Sequence, residues 1–233
     1  MINLAISLLV ALGVFGIFVA FFSWYASLLP ALIAFVATYL VLAQRAFRQV
    51  QALSAEAQKA ASGGRIDRAV EVLRSGFPLQ KKQFLVGSLL HSNLGTLLYM
   101  KRDFEGARPH LEKGYARDYF SRSMLGAYFY KKKQYDEMVK AFETAVKYGK
   151  KDPMIWCVYA WCLEHAGKRQ EAMQVLGRGV QANPTDERIK SNLLALQNGK
   201  RMKMKGFAPQ FYLFHLEAPP PDMGGRRVVY QRR

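Results

Sequence analysis

The first 44 positions contain no Lys, Arg, Asp or Glu, and the first charged side chain is Arg45. Ten to fourteen apolar residues would serve as the core helix of a small soluble domain, so a run this long reads as membrane-inserted. As one helix it would extend about 63 Å, roughly twice the ~30 Å hydrocarbon core, which argues against a single span. Two helices fit, at residues 4–22 and 28–43, with a tight turn at Ser23, Trp24, Tyr25, Ala26 and Ser27. Trp24 and Tyr25 are residue types that sit at headgroup level. Pro30 falls in the first turn of the second helix, where its missing N–H does no harm. Gly16 and Ala20 in one helix, and Ala31, Ala34 and Thr38 in the other, are small residues at helical spacing, expected to let the backbones approach. A cleaved signal peptide would need a basic start and a shorter apolar core, and Met1, Ile2 and Asn3 carry no side-chain charge.

All 34 basic and 17 acidic residues follow this run, giving a net charge of +17 at pH 7. Such an excess suits nucleic acid or the anionic face of a membrane, where each nearby Lys or Arg contributes about 1 kcal/mol. Beside a membrane anchor the second is expected, with anionic lipid headgroups facing Arg45 and Arg48 and the later run Lys200, Arg201, Lys203 and Lys205. The turn is uncharged, whereas Arg45, Arg48 and Lys59 follow the second helix, so both termini and the charged region are expected in the cytoplasm. The compact two-span anchor and the lack of eukaryotic targeting signals point to a bacterial inner membrane. Cys157 and Cys162 lie five apart in one helical pattern and point to different faces. That suits neither a disulfide nor a zinc pair, and reads as two reduced thiols packed as small apolar residues.

Beyond the anchor the chain repeats. Gly95, Gly126 and Ala160 are each followed twelve residues later by Ala107, Met138 and Ala172, and four further on by Leu111, Phe142 and Leu176. A weaker upstream copy is Ala57, Ala69 and Leu73. A fixed spacing of small then large residues means one helix pair recurring: the small residue lets the first helix approach its partner, and the large one fills the space between. The turns fall at Lys101-Arg102-Asp103, Lys132-Lys133-Gln134 and Ala166-Gly167-Lys168, with Gly63-Gly64 upstream. No Pro or Gly separates the second membrane helix from the first repeat helix, so one helix is expected to serve as both. An insertion is expected around residues 77–83. Glu187–Gln197 has one apolar face and reads as a capping helix.

The pattern resembles the tetratricopeptide repeat family, whose signature is W-x2-L-G-x2-Y, then A-x3-F, then P. The last copy carries Trp156, Tyr159, Ala160, Leu163, Ala172, Leu176 and Pro184. The first full copy carries Leu94, Gly95, Leu98, Ala107 and Leu111; the middle one carries Leu125, Gly126, Phe129 and Phe142, with Met138 in place of the small residue and Lys150 in place of proline. The resemblance covers about residues 52–186. It implies an all-α solenoid of about four helix pairs at 45–199, after the hairpin at 1–44 and before an irregular basic tail at 200–233.

The same resemblance implies an adaptor that holds a peptide or protein on its concave face. The family's groove positions fall on Leu89, Ser92, Thr96, Tyr99 and Met100; on Phe120, Ser123, Ala127, Tyr130 and Lys131; and on Met154, Cys157, Trp161, Glu164 and His165. The Lys, Arg and Asn clamp that grips chaperone C-terminal carboxylates is missing apart from Asn93, so the groove is expected to take an apolar peptide or helix. In the tail, Phe207, Phe211, Tyr212, Phe214 and Leu216 surround Pro209. Pro219, Pro220 and Pro221 follow, and then Arg226, Arg227, Arg232 and Arg233. Two readings stand: a disordered basic tail, or aromatic residues that dock in the groove or at the bilayer.

No GxxxxGK[ST], HExxH or GxSxG occurs, and His91, His110, His165 and His215 lack partners at ligand spacing. No enzyme, cofactor or metal is expected. The function expected is a membrane-anchored adaptor that recruits a protein partner. Its rivals are a nucleic-acid- or ribosome-binding membrane protein and a structural subunit of a larger membrane complex.

Overall fold

The computed structural model describes residues 2–220, and the readings on Pro221, Arg226, Arg227, Arg232 and Arg233 lie outside them. Among the described residues the chain is all α, with no strand. Its helices are α1 (Ile2–Val19), α2 (Leu28–Ser62), α3 (Ile66–Ser75), α4 (Val86–Met100), α5 (Phe104–Lys113), α6 (Tyr119–Lys131), α7 (Tyr135–Tyr148), α8 (Pro153–His165), α9 (Arg169–Ala182) and α10 (Glu187–Gln197). Short 3₁₀ turns lie at Phe77–Lys81, Lys205–Phe207 and Gln210–Phe214. The helices group into two compact units. One comprises Met1–Lys101 and Pro109–Tyr115, the other Arg102–Arg108 and Ala116–Arg233.

In the first unit α1 and α2 pair as an antiparallel hairpin. Both are long and apolar enough to cross a membrane. All but three of the large hydrophobic side chains left exposed (Phe84, Tyr148 and Leu194) lie between Ile2 and Val41. The seam of the hairpin matches expectation on α2, where Ala31 is buried and Ala34 and Thr38 half-buried, and differs on α1. It is built on Asn3, Ser7 and Ala11 of α1 and on Ser27 and Ala31 around the start of α2, all buried. Gly16 and Ala20 face outward, and a methyl at Gly16 would touch nothing within 4 Å. The four-residue step from Asn3 to Ala11 keeps one stripe against α2 for that stretch.

Helix α2 runs unbroken for 35 residues, about 52 Å at the α-helical rise. Its character changes midway. Residues up to Val41 are apolar on every side; beyond, Ala43, Ala46, Val50, Ala57 and Ala60 form one buried stripe. The change is from a helix that leaves apolar side chains exposed to one with a single packed face. The expected boundary at 44/45 thus falls inside a continuous helix, which goes on to pack against α3.

The repeated residues meet as their spacing implies. A methyl at Gly95 would lie 2.9 Å from Leu111, and one at Gly126 would lie 2.6 Å from the Phe142 ring. Ala160, Ala172 and Leu176 are fully buried, as are Ala107 and Ala69, while Ala57 and Leu73 are nearly so. The small residue therefore marks where the large residue of the partner helix presses on the backbone. Leu94, Leu125 and Trp156 are buried beside these positions. Pro184 is exposed in the turn after α9.

Two further regularities emerge. Gly64, Arg102, Lys133 and Gly167 all have φ between 58° and 82° and all follow the small residue by seven positions. Each turn thus uses one left-handed residue, and two turns use a residue for which that conformation is costly. In the second unit Asp118, Asp152 and Asp186 cap α6, α8 and α10, accepting from Ser121 N at 3.2 Å, Met154 N at 3.0 Å and Arg188 N at 2.9 Å. The caps stand thirty-four residues apart. Each satisfies an N–H that a helix start leaves unpaired.

Candidate functional site

Asn192 of α10 is buried, and Gly199, seven residues on, takes the left-handed conformation that also ends the turns at Gly64, Arg102, Lys133 and Gly167. Among the described residues no further α-helix follows α10. Instead the chain turns back at Gly199 and lies along α6, α8 and α10 as an irregular segment over residues 200–217. Met204, Phe207, Phe211 and Phe214 of this segment are buried, the last two completely. Phe214 meets Phe120 edge-on at 5.4 Å between ring centroids, and Phe211 meets Trp161 at 6.0 Å. Arg188 lies over the Phe207 ring at 4.5 Å.

Hydrogen bonds hold the segment's backbone at intervals. Arg169 donates to the carbonyls of Leu196 and Lys200, each at 2.8 Å from Nη2. Arg188 Nη1 donates to Gly206 O at 3.2 Å, and Lys131 Nζ donates to His215 O. Asn192, nearly fully buried, accepts from the Lys203 N–H at 2.7 Å through Oδ1 and donates to Cys157 Sγ at 3.7 Å through Nδ2. Trp161 Nε1 donates to Glu217 Oε1 at 2.8 Å. Most are side-chain donors reading main-chain carbonyls or a carboxylate, joined by Asn192 Oδ1 as acceptor for a main-chain N–H, the means by which a groove grips a peptide.

Trp161 is the centre of the site. Tyr130 stands edge-on to it at 5.6 Å, and the exposed His165 ring stacks on it at 3.7 Å. Of the expected groove positions in this unit, Ser123, Ala127 and Cys157 are fully buried and Trp161 is nearly so. The Ser123 hydroxyl donates to Tyr119 O at 2.7 Å. Burial pushes the Cys157 thiol up to about 12 and the Cys162 thiol well above its usual range, so neither is a ready thiolate. Burial also lowers the Lys131 ammonium, with Arg102 adding to the effect. Lys200, Arg201, Lys203 and Lys205 keep their side chains exposed while the segment's backbone is pinned.

The first unit has its own cleft, of about 430 Å³, between the C-terminal half of α2, α3 and α4. Ala57, Ile66, Leu73, Thr96 and Met100 are among its walls. Asn93 Nδ2 donates to Ser54 Oγ at 2.8 Å, from α4 to α2. Thr96 is half-buried here, but Tyr99 is fully buried in the core. Nearby, His91 and His110 meet Nδ1 to Nδ1 at 2.8 Å, with Phe77 edge-on to His91 at 4.9 Å. Burial lowers both imidazoles, with Lys113 adding to the effect at His91 and the charge of His91 adding to it at His110. The scattered spacing of the histidines gave no sign of this pair. Arg45 and Arg48 are exposed on α2.

No family model matches the chain, and no curated protein matches it.

Proposed function

We propose that the protein is a membrane-anchored helical adaptor of tetratricopeptide type, whose hairpin crosses a bacterial inner membrane and whose helix pairs hold a protein partner on the cytoplasmic side. The hairpin reading draws support from the apolar side chains that α1 and the first half of α2 leave exposed. Arg45, Arg48 and Lys59 beyond the span support the cytoplasmic orientation. One observation carries the adaptor reading. The groove of α6, α8 and α10 holds a peptide, the chain's own residues 200–217, by aromatic contacts and by side-chain hydrogen bonds to main-chain carbonyls. A surface that grips one irregular segment this way has the chemistry to grip another in exchange for it. Tethering confines partner and membrane target together and raises their effective concentration.

Photo-cross-linking residues at His165 and at Thr96, in the full chain and in its native membrane, test this. Adducts to a discrete protein from either position are expected. Adducts to nucleic acid alone would overturn the adaptor and favour the second reading, which rests on the exposed strip Lys200, Arg201, Lys203 and Lys205; binding would then fall steeply with salt. A stable multi-protein assembly that persists when the repeat helices are removed would favour a structural subunit held through its hairpin.

A further inference from the structure

In the second unit, four residues link α7 to α8 and four link α9 to α10; in the first unit, ten residues, 76–85, link α3 to α4. The extra length adds little to the core. Lys81, Lys82 and Phe84 are exposed, Phe84 at 56%. Between them Gln83 is only 5% exposed. This inverts the usual polarity of a surface loop, since the amide is turned in and the phenyl ring out.

The loop is nevertheless held in place, and what holds it is the open end of the hairpin. Asn3 N donates to Lys82 O at 3.0 Å. Asn3 Nδ2 lies 3.2 Å from both Gln83 Oε1 and Leu42 O, and Gln83 Nε2 donates to Tyr39 Oη at 2.7 Å. Asn3 and Leu42 stand where the charge-free run ends, three residues before Arg45, or about 4.5 Å along the helix. The loop then leaves Phe84 through Leu85, whose φ of 67° is costly for a bulky residue and marks a conformation the surroundings impose.

We propose that residues 81–84 form a foot seated in the headgroup layer of the bilayer. Phe84 enters the boundary between headgroups and acyl chains, and Lys81 and Lys82, with Arg45, face the phosphates of anionic lipids. An exposed aromatic ring flanked by lysines is poorly suited to water and well suited to that layer. The buried Asn3–Gln83–Tyr39 network keeps the foot level with the end of the span. The proposal rests on the reading that the hairpin crosses the membrane.

The full chain, reconstituted in phosphatidylcholine vesicles with or without phosphatidylglycerol, supplies the test. Cys157 and Cys162 are fully buried, so a nitroxide can be placed singly through Phe84→Cys or Leu9→Cys. Its access to oxygen and to a water-soluble nickel chelate reports depth. The expected result is a Leu9 label deep in hydrocarbon and a Phe84 label at headgroup depth, shifted inward by phosphatidylglycerol. Loss of that shift in the Lys81→Gln, Lys82→Gln double variant is expected as well. A Phe84 label as open to the chelate as one in water, with Leu9 deep, overturns the foot and leaves the membrane hairpin standing. A Leu9 label open to the chelate overturns both. A lipid-dependent shift that persists without the two lysines overturns their role at the phosphates.

Discussion

Between α2, α3 and α4 the first unit leaves an open cleft, walled by Ala57, Thr96 and Met100 among others. On α6, α8 and α10 the second unit lays its own residues 200–217, and Phe211 and Phe214 are fully buried there. Both units are built from the same helix pairs, with Gly95 against Leu111 in one and Gly126 against Phe142 in the other. What differs is the lining. The cleft is walled by small and aliphatic side chains such as Ala57, Ile66 and Leu73, with Asn93 donating to Ser54, whereas Phe120, Tyr130 and Trp161 present a large aromatic area. At roughly 25 cal/mol per Å² that area gains several kcal/mol by being covered. The same repeat thus yields a cleft or a closed core according to which side chains its first helices carry.

The comparison is most directly broken at Phe211. Phe211→Ala is expected to destabilise the second unit by about 3–5 kcal/mol in denaturant unfolding. It should also make Cys157 reactive to a thiol probe. A loss below about 1 kcal/mol with Cys157 still protected would mean that the segment lies on the unit without completing it.

A smaller effect separates tight from open glycines. Gly126→Ala drives a methyl into the Phe142 ring and should cost about 1–3 kcal/mol, while Gly16→Ala meets open space and should leave stability unchanged. Equal melting shifts for the two would undo the assignment of Gly126 to the helix contact. Lys133→Gly should act in the other direction. A left-handed lysine costs about 1–2 kcal/mol, glycine's added freedom in the unfolded chain returns about 0.5–1, and a net gain of roughly 0.5–1 kcal/mol is expected.

The smallest effect concerns the first unit alone. His91 and His110 have folded pKa values below their ordinary 6.5. Stability held by the neutral pair is therefore complete above pH 6.5 and falls as the pH drops through the folded values, because the unfolded chain takes up protons first. Unfolding midpoints at pH 7.5 and 5.5 should show this fall, and His110→Gln should reduce it.

Much of the fold is legible in the chain because two signals are nearly free of competitors. A charge-free run has few places to go other than an apolar medium, and a twelve-then-four spacing of small and large residues has one geometric meaning on paired helices. The seam of the hairpin was less legible. In an apolar helix small residues are common on every face, and the stripe that packs uses Asn3 and Ser7, which no small-residue rule selects. The left-handed turns at Arg102 and Lys133 are equally silent, since only glycine announces that conformation. The tail's aromatic residues suggested docking but not where. The decisive residue, Asn192, lies on α10 and reads in sequence as a polar residue of a capping helix.

The position of Phe207, Phe211 and Phe214 late in the chain also orders events during synthesis. Because translation delivers α6 to α10 first, the face they share stays uncovered until residues 200–217 emerge. A chain stopped at Gly199 would hold the ten helices of the described residues and still lack the side chains that close its second core. To the cell's quality control it should look like a protein left unfinished.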